Sequence, residues 1–299
     1  MNIIDFGIVF LLLLTIFTLI MFFVGPKLLL QPSRSTSKTY SNSGQLAHPS
    51  EIGLPCNEFN IITNERFKLF CWAVPTLEKS KGTIIYFHGI GDNKALGIPL
   101  AKLFFDNGFN TLLFDFRAHG ESEGKYCTYG YYEKFDAQKI IDEAVQQFPN
   151  TKIGLYGLSM GAAIALQKAS IDKRVSAVVS ENSFSTLRTI FDDYQKRMII
   201  LPFHYLRNLI INRSEQLASF DAKEVSPLNA VKKISVPLLF IYGKLDNKIH
   251  YRYSIQLFEN ACASKELFPV ENASHANVRE IAGNSYDNKL ISFYEQHLQ

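Results

Sequence analysis

Ser159 stands at the centre of Gly157-Leu158-Ser159-Met160-Gly161, which interrupts an apolar run at residues 152–156 and precedes the small-residue run Ala162-Ala163-Ile164-Ala165. The first run has strand character and the second suits a helix. Strand, G-x-S-x-G and helix together describe a nucleophile elbow, a turn too tight for side chains at its two glycine positions that lifts the serine hydroxyl onto the exposed end of a sheet. An ordinary glycine-rich strand-to-helix turn is the competing reading. A serine hydroxyl is a weak nucleophile at neutral pH, so it needs a base within reach and an acid to orient that base.

Seven histidines compete for the role of base. His48 falls in a polar segment, His88 and His119 directly follow early strands where histidines shape turns, and His204 lies in an insertion. His250 opens a helix and His297 sits within the last one. His275, in Asn272-Ala273-Ser274-His275-Ala276 between a short strand and a helix, is the best-placed base. For the acid, Asp246 stands in the loop Gly243-Lys244-Leu245-Asp246-Asn247 after a strand, giving the chain order Ser, Asp, His. Glu181, ending the strand after the elbow helix, is its rival, and a turn or helix-cap aspartate is the plainer reading of Asp246.

Acyl transfer also needs donors for a developing oxyanion. Phe87-His88-Gly89-Ile90-Gly91-Asp92-Asn93 follows a strand, and its glycines let backbone N–H groups approach a ligand closely. The amides of Ile90 and of Met160, the residue after the nucleophile, are the candidate pair. The segment matches neither phosphate-binding glycine motif. Histidines and acids show no metal-ligand spacing, so neither metal nor cofactor is implied.

These groups must be held by elements that the hydropathy pattern outlines. Strands are expected at 58–62, 67–74, 83–87, 111–115, 152–156, 175–180, 237–242 and 266–269. Helices are expected at 94–107, 132–148, from the elbow to about 170, at 249–260 and over most of 276–298. Alternating β and α units imply a mainly parallel sheet with helices on both faces, binding ligands beyond the carboxyl ends of its strands. The chain has 299 residues, 47% of them hydrophobic, enough for a large single core. A net charge of +3 without a basic block argues against a nucleic-acid partner. Cys56, Cys71, Cys127 and Cys262 are irregularly spaced and read as free thiols rather than a disulfide framework.

Residues 6–24 are almost unbroken apolar sequence. About nineteen helical residues span ~28 Å, close to the ~30 Å hydrocarbon core of a bilayer. A cleaved signal peptide, the rival, wants a positive leading region and a small-residue cleavage site, whereas Asp5 precedes the run and Gly-Pro-Lys follows it. Lys27, Arg34 and Lys38 flank its C-terminal end, which by the positive-inside rule puts the main domain on the cytoplasmic side, a periplasmic or extracytoplasmic domain being the alternative. A glycan at Asn272 would crowd His275, which fits a glycosylating lumen poorly. Residues 25–53 link this helix to a domain at 54–299, and the stretch 31–53, rich in Ser, Thr and Pro, reads as a flexible tether. The strongly apolar excursion at 184–234 reads as a cap over the site, against the alternative of extra helices packed on the core.

Taken together these residues resemble the α/β-hydrolase superfamily. Phe87-His88-Gly89-Ile90-Gly91 is similar to its oxyanion motif, and Asp115-Phe116-Arg117-Ala118-His119-Gly120-Glu121-Ser122-Glu123-Gly124 to its D-x-R-x-x-G-x-S-x-G segment. Ser226-Pro227-Leu228, Val236-Pro237-Leu238-Leu239 and Gly243-Lys244-Leu245-Asp246 resemble its approach to the acid. The nearest flavour is the serine aminopeptidase-like and monoacylglycerol-lipase-like branch, which includes members with one N-terminal anchor. The resemblance implies an α/β fold with a helical cap, and hydrolysis of a carboxylic ester, thioester or amide through an acyl-serine. Serine at the nucleophile position argues against the dehalogenases of this fold, which use aspartate. The expectation is thus a membrane-anchored serine esterase or lipase acting on a small acyl ester or lipid. A serine peptidase or amidase, a thioesterase, and a non-catalytic binding protein of the same fold are the alternatives.

Overall fold

The computed structural model describes residues 3–198 and 204–299. After an N-terminal helix α1 (Ile3–Leu30) and a short helix α2 (Ser37–Asn42) come strands β1 (Asn57–Ile62), β2 (Lys68–Val74) and β3 (Thr83–Phe87). Then follow α3 (Ile98–Asp106), β4 (Asn110–Phe114), α4 (Glu133–Gln147), β5 (Ile153–Leu158), α5 (Met160–Ala169) and β6 (Val175–Glu181). The insertion carries α6 (Leu187–Met198), α7 (Tyr205–Ala218) and α8 (Pro227–Val231). The chain closes with β7 (Leu238–Gly243), α9 (Arg252–Asn260), β8 (Lys265–Val270), α10 (Val278–Ala282) and α11 (Asn284–Leu298).

One sheet of eight strands runs in the order β1-β2-β4-β3-β5-β6-β7-β8. β2 lies antiparallel to both neighbours, and every pairing from β4 to β8 is parallel. Each parallel pair needs a crossover, which the helices supply. Helices covering both faces explain why β3, β4 and β7 are buried at every position, with only Thr83, Asn110 and Thr111 at their starts breaking the apolar runs. Alternate residues serve opposite cores: Ile85, Leu112 and Leu155 pack in the cluster that includes α4 and α5, while Ile84, Leu113 and Tyr156 pack in the cluster that includes α3 and α11.

Three features depart from the sequence expectation. The helix expected at 94–107 opens with a 3-10 turn, and the last one breaks at Gly283, whose positive φ of 52° ends α10 and starts α11. α1, long and apolar enough to cross a membrane, does not stop at Gly25-Pro26 but runs on to Leu30. From residue 17 onward, residues 17–18, 21–22, 25–26 and 29–30 are the ones shielded from solvent, a one-turn repeat that marks a docked face. Cys127 donates its backbone N–H to Leu30 O at 2.8 Å and the Tyr129 hydroxyl donates to Leu29 O at 2.8 Å, so the helix end is tied into the domain core.

The stretch 31–53, expected to be a flexible tether, is instead packed against the domain. Arg34 donates to the carbonyls of Ser122 (2.7 Å) and Gly124, Ser35 Oγ donates to Gly91 O, and Asn93 Nδ2 donates to Ser35 O at 3.0 Å. α2 begins in a capping box at Thr36, and Tyr40 and Leu54 are buried. Of the insertion, α6 and α7 pack on one another and α7 lies along α1, while α8 returns to α5. The apolar segment singled out at 197–206 falls partly at 199–203, outside the described residues.

Candidate active site

The parallel strands deliver their C-terminal loops to one edge of the sheet, and the singled-out residues meet there. Ser159, directly after β5, has φ 57° and ψ −116°, a strained turn that projects its side chain from the strand end. The elbow glycines are obligatory for space. A β-carbon on Gly161 would lie 2.0 Å from Phe87 O, and one on Gly157 would lie 2.5 Å from Ala162 Cα. Those close approaches seat α5 against β3 and β5, and the Ser159 amide donates to Glu181 O at 2.8 Å.

His275 Nε2 lies 3.0 Å from Ser159 Oγ, and its Nδ1 lies 2.6 Å from Asp246 Oδ2. An ionised carboxylate only accepts, so Nδ1 carries the hydrogen and Nε2 presents its lone pair to the serine hydroxyl. Asp246 Oδ1 is occupied by the amides of Lys248 and Ile249, each at 2.8 Å, which leaves Oδ2 aimed at the imidazole. The Asp246 side chain is wholly buried. Its loop and the histidine loop are joined: Leu245 N–H donates to Ala273 O at 2.9 Å and Lys244 N–H to Val270 O at 3.0 Å.

Glu181, the rival acid, is engaged elsewhere. Its Oε2 accepts the hydroxyls of Tyr156 (2.8 Å) and Tyr286 (2.5 Å) beneath the sheet edge, and burial pushes its pKa up. Asn182 is a residue that sequence reasoning missed. Its Nδ2 donates to His275 O at 3.1 Å, and its Oδ1 accepts the Gly243 N–H at 3.2 Å, so it clamps the His275 loop to the end of β7. A lone Asn after a strand carries no pattern that would single it out.

Ile90 and Met160 both border the cavity that contains Ser159. Neither backbone N–H is spent on a carbonyl among the described residues. His88 explains how the first is aimed. Its Nδ1 donates to Gly89 O at 2.7 Å while its Nε2 accepts the Phe116 N–H at 3.0 Å. In a trans peptide the C=O and N–H point oppositely, so holding Gly89 O towards His88 turns the Ile90 N–H away from it. Burial keeps the His88 pKa well below its ordinary value, as a ring that both donates and accepts requires. Asp92, in the same loop, has its pKa raised by burial to about 6, with Lys248 and His275 opposing.

The cavity above Ser159 measures about 420 Å³ and is walled by Met21, Leu29, Ile90, Phe184, Ile190 and Ile211 among others, with Gln195 and Arg207 as polar members. Residues 82–213 match the family model described as the alpha/beta hydrolase fold. The chain has the α/β-hydrolase fold. Among the proteins it is similar to, YqkD of Bacillus subtilis is 33% identical over 198 residues, 65% of each chain, so this chain spans just under two thirds of that relative. Membrane protein YNL320W of Saccharomyces cerevisiae is 27% identical over 235 residues, 76% of each. The esterase Pf2001 of Pyrococcus furiosus superposes with a TM-score of 0.74 over 91% of this chain and 99% of its own at 23% identity, a likeness of fold. The α/β-hydrolase fold accounts for Asp115 as well: it pairs with the buried Lys94 at 2.8 Å and would be struck by any β-carbon on Gly120, so D-x-R-x-x-G is a structural buckle beneath the site.

Proposed function

We propose that this α/β-hydrolase is a serine hydrolase that cleaves carboxylic esters with apolar acyl groups through an acyl-serine, held at a membrane by α1. The observation that carries the reading is the continuous chain Asp246–His275–Ser159, with the serine opening into an apolar cavity. Ser159 Oγ attacks the ester carbonyl while His275 Nε2 takes its proton. Asp246 steadies the imidazolium, and the Ile90 and Met160 amides receive the oxyanion. Losing one such donor costs ~3–4 kcal/mol of transition-state stabilisation. The protonated His275 then passes its proton to the departing alcohol, and a water activated by the same nitrogen releases the acid. The apolar cavity walls favour an acyl ester over a peptide, whose N-terminus would want an acidic partner.

Anchoring is supported by the length and apolarity of α1 and by similarity to a protein described as a membrane protein. Exposed Lys27 and Lys38 after the span favour a cytoplasmic domain, which protease protection of intact membranes tests. For the activity, detergent-solubilised full-length protein is assayed on p-nitrophenyl esters of graded chain length and on aminoacyl naphthylamides. Ester turnover that a fluorophosphonate abolishes is expected; turnover of the amides alone would overturn the ester assignment.

A further inference from the structure

An anchor needs only length and apolarity, yet α1 contributes Met21, Gly25, Leu28 and Leu29 to the wall of the cavity that holds Ser159. The contact is built rather than incidental. A β-carbon on Gly25 would lie 2.7 Å from Ile210, so glycine there lets α1 close against α7. One turn earlier the Arg213 guanidinium sits 5.0 Å from the Phe22 ring centre, and beyond it Leu30 is buried in the domain core. The opposite face of α1 is bare, Leu13 being 60% exposed and Phe23 also 60%, while Leu28, at 72%, stands at the open rim of the cavity.

Depth along the helix follows from its rise. Asp5 and Lys27, both exposed, are the charged ends of the apolar span. At ~1.5 Å per residue they stand ~33 Å apart, enough for a ~30 Å hydrocarbon core. Met21 then lies ~9 Å inside the boundary marked by Lys27 and Gly25 ~3 Å inside it. The cavity wall therefore runs from the acyl region of the bilayer up to the headgroup level. Ester carbonyls of membrane lipids lie at that same boundary, with their chains directed inward.

We propose that α1 is the membrane-side wall of the acyl site, and that the substrate is a bilayer-resident lipid ester whose chain slides in along the wall that α1 and α7 share, without entering water. The proposal rests on the serine-hydrolase reading above and adds to it the substrate class and the route of entry. Met21 and Leu29 of α1 with Leu206, Ile210 and Ile211 of α7 line that route, so the chain's methylenes meet apolar side chains on the way from the bilayer boundary to Ser159. Met21 and Leu28 are thereby specificity determinants carried by the anchor itself.

The test uses full-length protein in phosphatidylcholine vesicles and a fluorophosphonate bearing a hexadecyl chain with a terminal diazirine. After the probe has reacted with Ser159, irradiation should cross-link it to α1 peptides containing Met21–Leu29. Cross-links confined to other elements would overturn the α1 wall while leaving the nucleophile intact. Failure of the probe to label Ser159 at all would instead overturn the serine-hydrolase reading and this proposal with it. Kinetics provide a second readout. Met21→Trp and Leu28→Trp should each lower the ratio of kcat/KM for p-nitrophenyl palmitate to that for the butyrate at least about tenfold, while Leu13→Trp on the bare face leaves the ratio unchanged. Equal ratios in all three variants would overturn the proposal.

Discussion

Asn182→Ala is the perturbation whose consequences are worked most closely from the geometry. Asn182 is 1% exposed and has φ 51°, and its amide joins His275 O to the Gly243 N–H. Alanine removes both bonds and leaves the buried Gly243 N–H without its acceptor, a loss of about 1–3 kcal/mol. A β-carbon without a local hydrogen-bonding group in the left-handed region adds about 1 kcal/mol. The sum, roughly 2–4 kcal/mol, corresponds to a fall in Tm of about 4–16 °C for a domain of this size. Asn182→Gly loses the same bonds but not the left-handed penalty, so it should recover about 2–4 °C of that fall. Once its carbonyl is released, the His275 loop no longer fixes Nε2 on Ser159, and a misplacement of about 1 Å lowers kcat on the order of a hundredfold. KM should move little, because Asn182 does not line the cavity. Thermal unfolding in detergent micelles and p-nitrophenyl butyrate kinetics read both quantities. An alanine variant melting within about 2 °C of wild type, with unchanged kcat, would refute the clamp.

Three further outcomes follow from the same geometry. Gly161→Ala drives a β-carbon into Phe87 O, a backbone atom that cannot swing aside, and should cost about 3 kcal/mol or more, read as a lowered Tm. Glu181→Gln should cost stability through its tyrosine partners by about 1–3 kcal/mol yet keep its turnover, whereas Asp246→Asn should lower kcat by about 10⁴; the reverse pattern in steady-state kinetics would reassign the acid. For Asp92, whose pKa rises from 3.8 to about 6, the folded protein holds the proton more tightly than the unfolded chain. Its stabilising contribution is full below the unfolded value and is lost as pH rises through about 6. Asp92→Asn should therefore gain on wild type by up to about 3 kcal/mol between pH 4 and 6 in denaturant titrations; parallel stability curves would contradict the shift.

The sheet and the residues around Ser159 were legible because each leaves a local trace. Buried parallel strands read as apolar runs, and Gly157 and Gly161 stand where backbone approaches backbone. Asp246 and His275 follow strands that end at the same edge. What was not legible depends on distant partners. A helix apolar all round gives no sign of which face will dock, so the stripe from residue 17 to residue 30 on α1 was invisible. Residues 31–53 have no apolar period, and their placement comes from Arg34 reaching carbonyls 88 and 90 positions away. Glu181 ends a strand and Asp246 follows one in a loop, and only the register across the sheet sends one to the tyrosines and the other to the imidazole.

The most direct test of the central claim is to react full-length protein with a fluorophosphonate, map the adduct by peptide mass spectrometry and repeat the experiment on Ser159→Ala. The account predicts one stoichiometric adduct on Ser159, loss of ester turnover in step with labelling, and neither adduct nor turnover in the variant. An adduct on another residue, or ester hydrolysis surviving in Ser159→Ala, would contradict it.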